Sequence, residues 1–257
     1  MSIDVVVHRG CASPELENSI EGVKELLEFG ASITCEIDVA VTKDGVLVLH
    51  HDLTLLQTAG VDIPIIETPY QELLRHYPLT RLDDLLNKYP QQKFLLDIRH
   101  DSHFGAFGDS DWQPDEDHFT IEKMILPLQH LLSEHSPENL RLTAFSLEFR
   151  DQLEKNLPKY DYILAERFTR EIFEIFRKSG QLNEKISLPK WILLQCHDLD
   201  RRLAESLRDR GHKIITSPSA QGTEYQVDHA IEQNVNGIMV ETLDADTLGI
   251  LRRHNLL

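Results

Sequence analysis

The amino-acid sequence predicts an α/β fold, a (β/α)₈ TIM barrel that forms a single domain over residues 1–257. A chain of 257 residues is typical of one such barrel. Short, almost continuously apolar runs alternate with amphipathic helical stretches, as in a parallel sheet covered by helices. Eight such units fit in the chain. This number favours a closed barrel over the alternative, a doubly wound open sheet.

The elements of the first half follow in order. The run Asp4–Val7 predicts the first strand, and apolar residues at helical spacing predict a helix over Ile20–Phe29 that ends at Gly30. The run Gly45–Leu49 is expected to extend the second strand after a turn, and residues 53–80 to form a loop-rich stretch. The other predicted elements are the strands Ile33–Val39, Lys93–Ile98 and Leu140–Phe145 and the helices Leu82–Tyr89, Ile121–Glu134 and Phe149–Asn156.

The second half continues the same alternation to the end of the chain. Its predicted strands are Tyr162–Ala165, Trp191–Gln195, Lys213–Thr216 and Gly237–Val240. Its predicted helices are Arg170–Ser179, Leu199–Arg210, Val227–Gln233 and Ala245–His254. Because no composition shift or linker interrupts this pattern, we predict no domain boundary.

One segment departs from the pattern. Residues 100–118 are polar and acidic and contain Phe104, Phe107 and Trp112. Since they follow the third strand, we expect them to lie over the C-terminal rim of the barrel, where barrel enzymes have their active sites. The alternative is a solvated surface loop.

The formal net charge of −17 excludes several classes of partner. Such a chain repels nucleic acid and anionic lipid surfaces at long range, so we expect neither nucleic-acid binding nor stable membrane insertion. No apolar run is long enough to span a bilayer, and no leader segment is recognisable. The three cysteines, an odd number without CxxC spacing, suit a reducing compartment. We therefore expect a cytoplasmic protein.

Charged residues lie at the ends of the predicted strands. Glu36 and Asp38 are two residues apart on a strand and therefore point to the same face, here the barrel interior. Two interior carboxylates repel each other unless a cation lies between them. A hard divalent cation, which prefers oxygen ligands, would offset this repulsion. Asp97 can supply a third carboxylate, and Arg99 can bind phosphate through two hydrogen bonds.

Two histidines complete this set. His8 ends the first strand and is followed by Arg9, and His51 follows the run Gly45–Leu49. Each residue alone is weak evidence, but together they supply what is needed to bind a small-molecule phosphodiester and to move two protons. Glu166 and His197 follow the fifth and sixth strands and are further candidates.

Four short motifs in series carry a family resemblance. They are His8-Arg9-Gly10, then Glu17-Asn18-Ser19, then Glu36-Ile37-Asp38-Val39, and then the stretch Lys43–Asp52 with Thr54-Leu55. They resemble the glycerophosphodiester phosphodiesterase family, whose pattern reads HRG, ENT or ENS, E-x-D-V and T-x-D-G-x-x-V-x-x-H-D-x-x-L. Alignment on Asp44-Gly45 identifies the motif histidine as His51 rather than His50.

The resemblance implies a barrel that hydrolyses a phosphodiester and releases an alcohol. It implies Mg²⁺ or Ca²⁺ held by Glu36, Asp38 and a third carboxylate, Asp97 in this sequence. It implies His8 and His51 as the general acid and base and Arg9 as a phosphate contact. Glu17 and Asn18 are expected to orient His8 or the phosphate, although a role in capping the following helix fits them equally well.

The sequence also departs from the family pattern. Asp97 and Arg99 stand where the family has glutamate and lysine, which changes the reach of both side chains. Downstream, the family has Ser-Phe, Trp-Thr and Thr-Asp pairs; the corresponding pairs here are Ala144-Phe145, Ser217-Pro218 and Val240-Glu241. The resemblance implies that these positions line the part of the pocket that holds the alcohol. We therefore expect an altered alcohol site, with Phe104, Phe107 and Trp112 as a replacement wall and Glu241 in a structural role.

Two other functions and two reaction routes stay open from the sequence. One alternative is a lysophospholipase D or sphingomyelinase D-like enzyme of the same superfamily. The other is a phosphate- or metal-binding protein without turnover. The attacking group is either water or a neighbouring hydroxyl of the substrate, which would give a cyclic phosphate.

Overall fold

The computed structural model of the chain describes residues 3–29, 32–99, 121–144, 147–165, 176 and 188–257. In these ranges the strands are β1 (Asp4–Val7), β2 (Ile33–Val41), β3 (Leu47–Leu49), β4 (Lys93–Ile98), β5 (Leu140–Ala144), β6 (Asp161–Leu164), β7 (Trp191–Gln195), β8 (Lys213–Ser217) and β9 (Gly237–Val240). The helices are α1 (Ile20–Glu28), α2 (Leu56–Ala59), α3 (Tyr70–Leu73), α4 (Leu82–Lys88), α5 (Ile121–Leu132), α6 (Leu147–Asn156), α7 (Arg201–Asp209), α8 (Thr223–Glu232) and α9 (Ala245–Arg253).

Eight of the described strands, all except β3, form one closed, parallel barrel. Around it the order is β1-β9-β8-β7-β6-β5-β4-β2, and the parallel pairing of β1 with both β9 and β2 closes the ring. The predicted (β/α)₈ barrel is therefore confirmed, and the open sheet is excluded. None of the described helices has the length and apolarity needed to cross a bilayer.

The run Gly45–Leu49, expected to extend the second strand, instead reverses its direction. Leu47–Leu49 forms β3, which turns back and pairs antiparallel with the end of β2. Gly45 has a φ of 79°, which favours glycine, and the Thr42 side chain donates a hydrogen bond to Asp44 and accepts one from the Val46 N–H. This turn reverses the chain, so β3 leads directly to His50 and His51.

Other predicted elements agree with the structure except at their ends. The strands Asp4–Val7, Lys93–Ile98, Trp191–Gln195 and Gly237–Val240 have the predicted bounds. The segment 100–118, with its three aromatic residues, lies outside the described residues, as does the predicted helix 170–179 apart from Phe176.

Inward-pointing residues of the barrel lie in layers, because alternate positions of each strand face the interior. The central layer is mainly apolar and consists of Val6, Leu95, Ile163, Leu193, Ile215 and Met239. Towards the carboxyl ends of the strands, the next inward positions are polar or charged on seven of the eight barrel strands: Asp38, Asp97, Thr143, Gln195, Ser217 and, just after β9 and β1, Glu241 and His8. The alternation that builds the core thus places these groups at the C-terminal end.

Candidate active site

A cavity of about 410 Å³ opens at the carboxyl ends of the barrel strands. Its lining residues are His8, Arg9, Glu36, Asp38, His51, Asp97, Arg99, Thr143, Ala165, Leu193, Gln195, Ser217, Pro218, Met239 and Glu241. Seven of the predicted site residues are therefore brought together in this cavity. Glu17 and Asn18 lie behind it and contact its lining residues.

Three carboxylates form the charged side of the cavity. Glu36 and Asp38 come from β2 and Asp97 from the adjacent β4, where Asp38 and Asp97 are partners in the parallel register. One oxygen of each lies within 4.8 Å of the others. Burial, together with the neighbouring Asp38, raises the pKa of Glu36 to about 8 and that of Asp97 to about 7. Burial also acts on Asp38, but Arg99 and His51 outweigh it and lower the pKa of that carboxyl.

This carboxylate group has the donor set of a divalent-cation site. Oδ1 of Asp38 and Oδ1 of Asp97 are buried and accept no hydrogen bond within the described part of the chain. Buried oxygens of this kind cost free energy unless a partner satisfies them. Mg²⁺ and Ca²⁺ bind carboxylate oxygens, and a cation here would offset both the burial and the mutual repulsion of these carboxylates. The residues present therefore fit such an ion.

Backbone and amide groups fix the two carboxylates of β2. The Arg9 N–H donates a hydrogen bond of 2.6 Å to Oε2 of Glu36, from a left-handed backbone with φ of 54°. Asn18, also left-handed, donates its amide N–H to Oδ2 of Asp38 at 2.8 Å and accepts the Asp38 N–H at 2.9 Å. These contacts from the Arg9 backbone and from Asn18 fix the positions of Glu36 and Asp38.

Two arginines add positive charge next to the carboxylates. The Arg99 Nε donates to the His51 carbonyl at 2.9 Å and lies 3.4 Å from Oδ1 of Asp38. Arg9 Nη1 donates to Oε2 of Glu17 at 2.7 Å. Both arginines line the cavity; Arg99 is buried, whereas Arg9 keeps 26% of its side chain exposed. Both guanidinium groups are therefore held in place beside the carboxylates.

His8 is held by a carboxylate from the last strand of the barrel. Its Nδ1 donates a hydrogen bond of 3.1 Å to Oε1 of Glu241, and its Nε2 lies 4.0 Å from Oε2 of Glu36. Burial lowers the pKa of His8, but the hydrogen bond to Glu241 and the charge of Glu36 outweigh it and raise the pKa to about 9. His8 is thus placed to hold a proton on Nε2 within the cavity.

His51 has a corresponding carboxylate partner. Its Nδ1 donates a hydrogen bond of 2.7 Å to Oδ1 of Asp52, which leaves Nε2 as its second proton-carrying atom. The adjacent His50 is buried, donates from Nδ1 to the Asp52 carbonyl at 2.8 Å, and is absent from the cavity lining. The motif spacing that selects His51 over His50 agrees with this placement.

Comparison with known proteins identifies the family. The model of the Glycerophosphoryl diester phosphodiesterase family matches residues 8–238, most of the chain. The chain belongs to this family. The resemblance inferred from the four motifs is confirmed.

Solved structures of glycerophosphoryl diester phosphodiesterases share the fold. A protein of Silicibacter pomeroyi so designated has a TM-score of 0.75 at 16% identity, with 99% of this chain and 95% of that chain covered. An Oleispira antarctica phosphodiesterase, determined in complex with the product sn-glycerol-3-phosphate, has a TM-score of 0.70 at 17% identity, covering 98% of this chain and 97% of that chain. At such identities the likeness establishes the barrel alone.

Curated relatives match over shorter stretches. Lysophospholipase D GDPD3 of Mus musculus is 28% identical over 115 residues, which are 38% of this chain and 34% of that protein. The chain spans between about a fifth and a third of the length of the curated relatives it matches.

Several residues that line the cavity or contact its histidines are not assigned by the sequence analysis. Asp52 and Glu241 hold the two histidines, yet Glu241 was expected only in a structural role and Asp52 was given none. Thr143, Gln195 and Met239 were not singled out, although each lies at an inward position of its own strand; the signal for Met239 is its position two residues before Glu241. His197 is half exposed and is not among the lining residues, and Glu166 lies outside the described residues.

Proposed function

We propose that this protein is a phosphoric diester hydrolase that cleaves a glycerophosphodiester-type substrate to an alcohol and a phosphomonoester, in a metal-dependent reaction. The observation that carries the proposal is the joint placement of His8, His51 and three carboxylates around one cavity. Membership in the glycerophosphoryl diester phosphodiesterase family supports it.

The residues divide into three roles. Glu36, Asp38 and Asp97 would hold Mg²⁺ or Ca²⁺, which, when bound, supplies positive charge to the phosphate oxygens. Arg99 and Arg9 bind the phosphate by charge-assisted hydrogen bonds. Glu17 and Asn18 act behind these groups, through Arg9 and Asp38 respectively.

The two histidines move the protons. One imidazole removes a proton from the attacking water at Nε2, and the other donates a proton from Nε2 to the leaving alcohol oxygen. Asp52 and Glu241 keep the Nδ1 proton of each ring in place, so that Nε2 is the atom that exchanges. Attack by a substrate hydroxyl, with a cyclic phosphate as product, uses the same proton transfers.

A second candidate function is that of a lysophospholipase D. The observation that favours it is the match to lysophospholipase D GDPD3 and GDPD1. It would use the same catalytic groups but would act on a lipid with one acyl chain. Release of choline from lysophosphatidylcholine, compared with glycerophosphocholine, distinguishes the two functions.

The first test is turnover of bis(p-nitrophenyl) phosphate and glycerophosphocholine with Mg²⁺, Ca²⁺ or a chelator. We expect turnover with metal and its loss with chelator. His51→Ala should lower kcat by about 10²- to 10⁴-fold, the usual contribution of one general acid or base. His50→Ala is the matched control for the site, since His50 does not line the cavity. Metal-dependent thermal stabilisation without any turnover would instead establish a binding protein.

A further inference from the structure

A buried glutamine lies behind the carboxyl ends of β8 and β9. Gln226 belongs to α8, which packs against β9, and it is 1% exposed. Its Nε2 donates hydrogen bonds to the backbone carbonyls of Ser217 at 2.8 Å and of Met239 at 2.7 Å. Both acceptors belong to residues that line the cavity. A buried amide costs free energy unless hydrogen bonds satisfy it, so these two contacts account for a glutamine at this place.

The backbone pairing of β8 with β9 stops short of the cavity. Thr216 and Ile238 are its last paired residues. The Ile214 carbonyl accepts the Asn236 N–H at 2.9 Å, so the even-numbered positions of β8 direct their backbone groups towards β9. In a parallel pair such bonds recur at every second residue. After Thr216, the next N–H that β8 could donate to β9 is therefore that of position 218.

Position 218 is a proline and cannot make this bond. By the register above it would stand opposite Val240, and an N–H there would reach the carbonyl of the preceding residue, Met239. Pro218 has no N–H. The Nε2 of Gln226 donates to the Met239 carbonyl instead and also holds the Ser217 carbonyl at the end of β8. Gln226 therefore supplies, from α8, the hydrogen bond that the proline removes from the strand pairing.

We propose that Gln226 is a positioning residue of the active site, which holds the ends of β8 and β9 together and thereby keeps Glu241 on His8. Met239 is two residues before Glu241, whose Oε1 accepts the hydrogen bond from His8 Nδ1. Pairing of β9 with β1 ends at Val240, so Glu241 lies beyond the paired residues on both sides of β9. The Gln226 contact fixes the β8 side of this strand end. The proposal rests on the phosphodiesterase function and adds a residue to its machinery.

The first test removes both N–H donors and keeps the length of the side chain. In Gln226→Met we expect kcat for bis(p-nitrophenyl) phosphate to fall about tenfold, because a small displacement of Glu241 misplaces His8. Gln129→Met is the matched control. Gln129 of α5 also donates from Nε2 to a backbone carbonyl, that of Asn156 at 2.9 Å, but it does not line the cavity. This control should lower the midpoint of thermal unfolding and keep kcat. An unchanged kcat in Gln226→Met would overturn the proposal.

A double-mutant cycle separates positioning from stability. If Gln226 acts through Glu241, adding Gln226→Met to Glu241→Gln should lower kcat by no more than about a further twofold, the usual error of additivity. Independent effects would multiply instead, and the double variant would lose about a further tenfold. That result would overturn the route through Glu241, because it would show that Gln226 affects the site in another way.

Pro218 provides a rescue that a general loss of stability would not show. Pro218→Ala restores an N–H where β8 could donate to the Met239 carbonyl. In this background, Gln226→Met should keep at least about half of the kcat of Pro218→Ala alone. Its midpoint of thermal unfolding should also fall less than in the wild-type background. Equal losses in both backgrounds would overturn the exchange of one hydrogen bond for the other. If Gln226→Met alone does not fold, a folded double variant supports the exchange, and a double variant that also fails to fold overturns it.

The outcomes separate this inference from the proposed function. Absence of turnover by the wild-type protein at saturating metal would contradict the phosphodiesterase function itself. The unfolding midpoints in the two Pro218 backgrounds need no turnover, so they still decide whether Gln226 replaces the missing hydrogen bond. Turnover by the wild-type protein together with an unchanged kcat in Gln226→Met would contradict the positioning role alone.

Discussion

At the scale of single residues, each proposed catalytic histidine is oriented by a carboxylate at Nδ1. The partner of His51 is its neighbour in sequence, Asp52, whereas the partner of His8 lies 233 positions away, at the end of β9. The motif spacing could therefore predict the histidines themselves and choose His51 over His50. It could not predict the contact of Glu241 with His8, because only closure of the barrel brings β9 beside β1.

The orienting role of Glu241 predicts a loss of activity without a loss of fold. Glu241→Gln keeps the size of the side chain but replaces a charged acceptor with a neutral amide, which no longer favours one tautomer of His8. We expect kcat to fall at least about tenfold, a fraction of what a general acid or base contributes. The measurement is steady-state kinetics on bis(p-nitrophenyl) phosphate. Glu224→Gln is the matched control, since both side chains are 65% exposed and Glu224 is remote in α8. An unaltered kcat in Glu241→Gln would exclude the orienting role.

At the scale of elements, the alternation of apolar runs with helical patterns predicts the barrel strands. A short apolar run is enough to indicate a buried strand, without information from the rest of the chain. The β2–β3 hairpin was harder to predict. The same apolar run could continue β2 or return along it, and only the backbone at Gly45 and the hydrogen bonds of Thr42 determine the direction. The hairpin matters for function because β3 ends immediately before His50 and His51.

The hairpin turn gives a testable contrast between two glycines. Gly45 has a φ of 79°, and a Cβ there would meet only Pro127 at 3.7 Å, so Gly45→Ala is disfavoured by backbone strain rather than by a clash. We expect it to destabilise the protein by about 1–2 kcal/mol. Gly249 lies within α9, where an alanine has ordinary space and should stabilise by about 0.5–1 kcal/mol. Urea unfolding of the two variants checks the opposite signs, and equal shifts would contradict the argument.

At the scale of the whole molecule, one cluster closes the N-terminal end of the barrel. The Trp191 ring contacts two cations, Arg141 at 4.2 Å and Lys213 at 4.7 Å from its centroid, and its Nε1 donates to Asp161 at 3.2 Å. Arg141 also donates to Asp4 at 2.8 Å, which joins β5 to β1 across the barrel. Sequence analysis could not predict this cluster, because its members come from five different strands and meet only after closure.

The cluster predicts that Trp191 contributes to stability and leaves the active site largely unaffected. Trp191 is 4% exposed and packs with the central layer, so Trp191→Ala should cost about 3–5 kcal/mol. Trp191→Phe keeps an aromatic face for both cations and should cost less. Denaturant unfolding gives these values. A loss below about 1 kcal/mol in Trp191→Ala would show that the cluster does not hold the barrel closed.

Asp161 makes the same cluster sensitive to acid. Burial raises the pKa of its carboxyl, but hydrogen bonds from Lys190 and Trp191 outweigh this effect and hold the pKa below its usual range. The unfolded chain then binds a proton at a higher pH than the folded protein. The stabilisation from Asp161 is therefore complete well above its unfolded pKa of about 3.9, and it is lost as the pH falls below that value and through the lower pKa of the folded protein.

Asp161→Asn isolates this contribution, because asparagine does not titrate. The difference in unfolding free energy between the wild-type protein and Asp161→Asn should be largest near pH 6 and should shrink as the pH falls towards about 3.5. Urea midpoints across that range measure it. Glu224→Gln, which removes an exposed ion pair with Arg253, is the control for general charge effects. Since Asp161 lies at the end opposite to the cavity, relative kcat values at pH 7 should not change. A difference that stays constant with pH would mean that Asp161 stabilises the barrel through packing rather than through its charge.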